Sequence, residues 1–436
     1  MANRFLVAGG DGLWSSTNNW AATSGGASGA SFPVAGDAVA FDSLSGNANM
    51  TVNVASACAS LIMSGGYAGT LTFDSTLTLT STCTFLSTCA IAGTAGTLIV
   101  GNTTLTSGGK TLTCAMTFSA SATYTLADDW VVNGLVTAGV TTGSTTINGV
   151  GRTLTCAGGF RQAGTSAAVG GSAKLVITGG TWDSSSSGLM SMDVDLAGAV
   201  TVSGAILWGT TSKTLRRVSG TITTTGSTIT FGSSAVTLDT AGVTWNNLTF
   251  ASQTYTLSSA LAWSGTLTLG SASTFAGAGA ISGTGAVATT AGGTATFNNT
   301  GGLTTTGTMT LPNGAFTFAG SSGFSVGTMT TATLTASRTH TLTFGRTYTV
   351  TTALANVGTT AAILQSIVSS SPGNKVVFNL QAGATCDLIY CNPTDIDSSG
   401  GREIITTRGV ITNSTNWATA PTSGGGTILI RRGPRR

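Results

Sequence analysis

Residues 70–80 read Thr70-Leu71-Thr72-Phe73-Asp74-Ser75-Thr76-Leu77-Thr78-Leu79-Thr80, two runs in which threonine alternates with a large apolar residue. Alternation with period two puts every apolar side chain on one face of an extended backbone and every threonine on the other, the pattern of a half-buried strand. The same run recurs at Thr104-Leu105-Thr106, Thr266-Leu267-Thr268-Leu269 and Thr341-Leu342-Thr343-Phe344. Gly, Ser, Asn and Ala separate such runs from about Met50 to about Val350, so the pattern predicts an all-β chain without long helices.

Two decapeptides give the repeat. Gly109-Lys110-Thr111-Leu112-Thr113-Cys114-Ala115-Met116-Thr117-Phe118 and Gly151-Arg152-Thr153-Leu154-Thr155-Cys156-Ala157-Gly158-Gly159-Phe160 share seven of ten residues at a spacing of 42. With about 20 residues per coil of a solenoid, the two lie two coils apart, with their Leu and Cys at matching interior positions. A right-handed parallel β-helix fits the composition better than a sandwich or barrel, because each coil pairs only with its neighbours and Gly supplies positive φ at tight corners. About fourteen coils at roughly 4.8 Å each form one elongated body of about 65 Å.

An open stack needs covered ends. Residues 1–49, rich in aromatics and turn residues, are expected to form an N-terminal cap or anchor, and 50–352 the helical body. From about Ala353 the chain changes character, with the apolar run Ala361-Ala362-Ile363-Leu364-Gln365-Ser366-Ile367-Val368, more charges, and Pro372, Pro393 and Pro421. Residues 353–436 are expected to form a C-terminal cap or a partner-contact module.

Charged residues make up 7% of the 436, against about 25% in an average globular protein, and between Arg217 and Arg338 the one charged side chain is Asp239. Acid/base, metal and phosphate chemistry need ionisable groups that this stretch lacks. A net charge of +3 gives no long-range field for nucleic acid or lipid. Four arginines of the closing hexapeptide, Arg431, Arg432, Arg435 and Arg436, either touch an acidic partner or simply keep a charge-poor chain soluble. The seven cysteines form no CxxC pair and a single histidine, His340, accompanies them, so neither a disulfide framework nor a zinc cluster is expected and the thiols read as small buried apolar groups. No cofactor is expected. The N-terminal apolar stretch is too short for a secretory signal and no run of about 18 apolar residues occurs, so synthesis without export and no membrane insertion are expected.

The opening motif, Gly12-x-Trp14, Asn19-Trp20, then Pro33-x-x-Gly36-Asp37-x-Val39-x-Phe41-Asp42, resembles the start of a widespread group of tailed-bacteriophage virion proteins with β-helical bodies. Ser371-Pro372-Gly373, Asp395-Ile396-Asp397-Ser398-Ser399-Gly400-Gly401-Arg402 and Asn413-Ser414-Thr415-Asn416-Trp417 look like that group's closing segments. The resemblance covers roughly the first 45 and last 80 residues; the middle agrees in style. The opening is also similar to β-helical passenger domains of bacterial surface adhesins and autotransporters, which require export and usually an outer-membrane barrel.

Phage β-helices include tailspikes that cut polysaccharide, a reaction that usually needs two carboxyl groups flanking one bond. Asp193 and Asp195 share a face at i,i+2, with Arg216 and Arg217 a coil later, and form the best candidate set; a structural ion pair is the plainer reading. Asp128 with Asp129 point to opposite faces, and Asp395-Ile396-Asp397-Ser398-Ser399-Gly400 reads as an Asx-stabilised turn rather than a calcium loop. His340 has no nucleophile at a diagnostic spacing, and Gly283-Thr284-Gly285 lacks the lysine of a phosphate loop. Trp130, Trp182, Trp208, Trp245 and Trp263 either form a ladder for stacking sugar rings or fill the coil interior.

The expected function is a non-enzymatic structural protein on the virion surface, a fibre, spike or head decoration. Its expected partners are other virion proteins, further copies of itself in a trimer, and a host-surface glycan. A polysaccharide-degrading tailspike and a bacterial β-helical adhesin are the alternatives.

Overall fold

In the computed structural model the Thr-Leu runs form the strands Thr70–Phe73 and Thr76–Leu79, each alternating partly exposed threonine with buried Leu or Phe. Thr76–Leu79 pairs in parallel with Thr97–Val100, and that strand pairs in parallel with Ala115–Phe118. A parallel neighbour requires the chain to travel round and return on the same heading, so a ladder of sequential parallel strands is a coil. The chain is a parallel β-helix. Among the described residues there is no α-helix, and the helical turns are two short 3-10 segments, Thr17–Asn19 and Ser43–Ser45.

The structure describes residues 2–420 apart from 87, 120, 140–142, 165–167, 185–188, 210–212, 233–235, 271, 290–293, 300–302, 313–314, 319–323, 333–337 and 358–363; positions 294, 298, 306, 308–312, 315–318, 325–332, 338 and 357 are described by backbone alone. Contacts divide the chain into two compact units, Met1–Leu267 and Thr268–Arg436, where the sequence suggested one body with caps. Parallel pairing runs through both segments expected to be caps. Asn3–Leu6 pairs with Ala38–Phe41 in the first, and Ile404–Thr407 pairs with Trp417–Ala420 in the second.

In the first unit one inward column runs Leu77, Leu98, Met116, Val136, Phe160, Trp182 and Val202, one residue per coil and all buried. Burying each such side chain contributes about 1.5–3 kcal/mol, which is how a chain with so few charges folds. A second column runs Met190, Trp208, Phe231 and Phe250, with Phe231 stacked on Phe250 at 4.8 Å. Coil length varies: Ala115 lies 18 residues beyond its partner Thr97, and Phe160 lies 24 beyond Val136.

That variation corrects the alignment of the decapeptides. They do lie two coils apart, and Leu112, Cys114, Leu154 and Cys156 are all buried. Leu112 nevertheless pairs with Val132, which pairs with Cys156, so Leu stacks over Cys instead of over Leu. The two intervening steps take 44 residues and the repeat spacing is 42, which slides one copy by two positions. A slide of two keeps inward residues inward, so the core tolerates it.

Corners need glycine where backbones crowd. Gly220 has φ of 78°, and a Cβ there would lie 2.0 Å from the carbonyl oxygen of Gly198 in the coil before. No other residue type fits that corner without displacing a backbone.

The motifs that carry the resemblance act as end fittings. Trp14 and Trp20 meet edge-on at 4.9 Å and both rings contact Phe41, filling the first coil. Trp20 Nε1 donates to the Trp14 carbonyl at 2.8 Å, and Asn19 Nδ2 donates to Asp11 and to the Leu13 carbonyl. Asp37 Oδ1 accepts from the Ala2 amide, and Asp42 caps the turn Ser43–Ser45. In the second unit part of the last coils repeats at 18 residues: Thr394 bridges Thr412 and Asp397 bridges Thr415. Their corners carry non-glycine residues in the left-handed region, Tyr390, Asp395, Arg408, Asn413 and Asn416. Asp395 ties three coils together, accepting from the Gly373 amide and from Asn413 Nδ2. Trp417 Nε1 donates to Ser398 Oγ, whose hydroxyl in turn donates to the Phe378 carbonyl.

Candidate functional site

The carboxylate set does not assemble into an acid/base pair. Outward residues of successive coils form the column Val176, Asp195, Arg216, Asp239. Asp195, 6% exposed, takes Arg216 Nε on one oxygen at 3.0 Å and Arg216 Nη2 on the other at 2.5 Å, with Lys174 Nζ at 3.4 Å. The forked hydrogen bonds to Asp195 raise the basicity of Arg216 above its ordinary value. Asp193 accepts from the Thr214 amide at 2.8 Å and faces Lys213 at 3.9 Å. Arg217 turns to the Gly220 and Ala241 carbonyls instead and clamps a corner. The four residues thus serve three separate structural contacts.

The remaining acidic candidates are also engaged by the backbone. Asp128 accepts from the amides of Ser107 and Gly108, both at 2.7 Å, and Asp129 accepts from that of Thr153. Asp397 accepts from Ser399 two residues on, the expected Asx turn, and this bond holds its carboxyl below the ordinary 3.8. Asp395 is held below the same value, chiefly by the Gly373 amide and then by Asn413. Among the described residues no three His, Cys, Asp or Glu side chains converge on a point where a metal ion could sit.

The sugar-stacking ladder is corrected as well. Trp130, Trp182, Trp208, Trp245 and Trp263 are 0–1% exposed and face the coil interior, so no ring face meets solvent. Trp245 pairs directly with Trp263 one coil on. His340 is likewise fully buried, with Nε2 2.9 Å from Gln365 Nε2. All seven cysteines are free and six are buried. Burial pushes Cys114 to about 11 and Cys58 and Cys391 to about 12, so these thiols are poor nucleophiles. Arg431, Arg432, Arg435 and Arg436 lie outside the described residues.

Among the described residues, open grooves lie on the outside of the coils in both units. In the first unit, Ser81, Thr82, Asn102, Thr103, Thr104, Thr123 and Thr125 line a groove of about 320 Å³ that carries no charged residue. Thr104 stacks on Thr125, and the Thr123 amide donates to Asn102 Oδ1, so the coil repeat sets their spacing.

A larger groove of about 610 Å³ lies in the second unit, lined by Thr349, Thr351, Asn379, Gln381, Ala382, Gly400, Gly401 and Arg402. Thr349 pairs with Asn379 across one coil step, and the Arg402 amide donates to the Leu380 carbonyl across the next. Arg402 Nη1 donates to the Ala384 carbonyl, which fixes its head. Asn379 Oδ1 accepts no hydrogen bond from any described residue. A Cβ on Gly400 would meet the Asn379 amide at 2.9 Å, so the glycine lets that amide pack against the turn.

Sequence reading missed both grooves. The available signal was the strand Val376–Leu380 leading to Gln381, where Asn379 and Gln381 fall on the outward parity two residues apart, followed by the Gly400-Gly401 pair one coil later.

The chain matches no family model, no curated protein and no solved structure. Among the described residues no helix is long and apolar enough to cross a membrane.

Proposed function

We propose that this chain is a non-enzymatic structural component of a tailed-bacteriophage virion, displayed on the particle surface as a fibre, spike or head decoration that contacts host glycan. The resemblance of the terminal motifs supplies the phage context. The adhesive part rests on one observation: two grooves on the outside of the coils carry Ser, Thr, Asn and Gln side chains, joined in the larger by Ala382, two glycines and one arginine. Such groups match the donors and acceptors of sugar hydroxyls, and a stack of coils presents them at a fixed spacing, so weak contacts add by multivalency. The carboxylates considered for glycan cleavage are engaged in backbone and ion-pair contacts, which favours adhesion over hydrolysis. Attachment to other virion proteins and assembly as a symmetric homo-oligomer, a trimer, belong to the same reading.

An antibody raised against the purified chain and applied to intact particles tests the proposal by electron microscopy. Label at a defined place on the particle is the expected result. Particles that carry no label anywhere, while the same antibody detects the free chain, would overturn it.

A further inference from the structure

The larger groove differs from the smaller in one respect, a single positive charge set among neutral polar groups. We infer that it is a binding site for an acidic sugar, a uronic acid unit of an anionic polysaccharide. This deepens the adhesive part of the proposed function and rests on it.

Volume comes first. At about 610 Å³ the groove falls in the range of roughly 300–1,000 Å³ typical of small-ligand sites. Its wall is tightly packed at the two glycines: a Cβ on Gly401 would lie 2.5 Å from the Leu380 carbonyl oxygen, and one on Gly400 would strike the Asn379 amide.

Charge comes second. Arg402 is the one charged residue of the lining. One arm of the guanidinium is anchored on the Ala384 carbonyl, so the head is pre-organised, and its planar fork suits a carboxylate better than a neutral hydroxyl. A cationic ligand finds no partner here.

Hydrogen-bond demand comes third. The Thr349 and Thr351 hydroxyls and the side-chain amides of Asn379 and Gln381 line the groove and offer donors and acceptors to sugar hydroxyls. No aromatic ring lines it, so a single site binds weakly and avidity comes from several copies.

The test is calorimetric or saturation-transfer titration of the full chain with a galacturonate trisaccharide and with the same trisaccharide after its carboxyls are reduced to alcohols. The acidic sugar is expected to bind at least about tenfold more tightly than the neutral one, and Arg402→Gln is expected to erase that preference. Gly400→Val, which displaces the Asn379 amide in the groove wall and leaves the charge in place, is expected to weaken both sugars by at least about tenfold; it also serves if Arg402→Gln fails to fold, as checked by circular dichroism. Equal binding of the two sugars, no binding of either, or unchanged binding in a folded Gly400→Val variant would each overturn the site. Particle labelling reports on the virion assignment separately: labelled particles with no sugar binding remove the site alone, and unlabelled particles remove the virion assignment.

Discussion

Replacing Trp208 decides whether the tryptophans are core or platform. Its ring is 0% exposed, lies 6.0 Å from Trp182 and 6.1 Å from Phe231, and stacks in the column between Met190 and Phe231. Trp208→Ala deletes the whole ring, and a truncation of this kind costs about 3–5 kcal/mol once the cavity is counted. Trp208→Phe behaves differently. It keeps most of the apolar contact and removes the indole Nε1, which has no acceptor among the described residues. A buried unsatisfied donor costs about 1–3 kcal/mol, so its removal offsets much of the lost packing and leaves a net cost below about 1.5 kcal/mol. In a solenoid each coil leans only on its neighbours, so the loss is local and amide hydrogen exchange is the suitable assay. Amides of Thr228–Phe231, the strand one coil on, are expected to exchange about two to three and a half orders of magnitude faster in the alanine variant and at most about tenfold faster in the phenylalanine variant. Unchanged exchange in Trp208→Ala together with lost glycan binding would refute the reasoning and return the ring to the surface.

Gly220→Ala places a Cβ at positive φ and against the Gly198 carbonyl, so it is expected to cost at least about 1–2 kcal/mol in urea unfolding; an unshifted midpoint would contradict the corner geometry. Native chain at about pH 8 is expected to react with a thiol reagent at the partly exposed Cys386 alone, and mass spectrometry after unfolding should find the other six cysteines unmodified until then. Asp395 and Asp397 are held below their ordinary 3.8, so the unfolded chain takes up their protons first; the stability they contribute is present above 3.8 and is lost as pH falls from there through their lower folded values. Asp395→Asn should flatten that acid dependence in urea titrations between about pH 5 and 2, and a wild-type midpoint constant across the window would rule the tie out.

The strand pattern was legible because it depends on local alternation alone. Thr76–Leu79 reads the same in sequence and in structure, and the interior fate of Leu112 and Cys156 follows from parity. Register was not legible, since it depends on how many residues each corner absorbs, and the pairing of Leu112 with Val132 and then Cys156 has no local signature. The boundary expected near residue 353 was drawn from a change in composition. A coil can change composition while its ladder continues, as Thr347–Val357 does in pairing with Val376–Leu380. The Asp195 and Arg216 ion pair was visible as spacing by one coil, though Arg217 gave no hint that it would turn to a corner. The larger groove was hidden because its lining residues come from three successive coils, and which of them adjoin depends on register.

The two-residue offset between the decapeptides has a bearing on how such a chain can grow. A copied segment that lands an even number of positions out of step still hides its grease and shows its threonines, whereas an odd offset turns the strand inside out. Duplication followed by insertions or deletions in pairs therefore lengthens the column without a new core having to be invented, and it leaves corner loops free to drift in sequence.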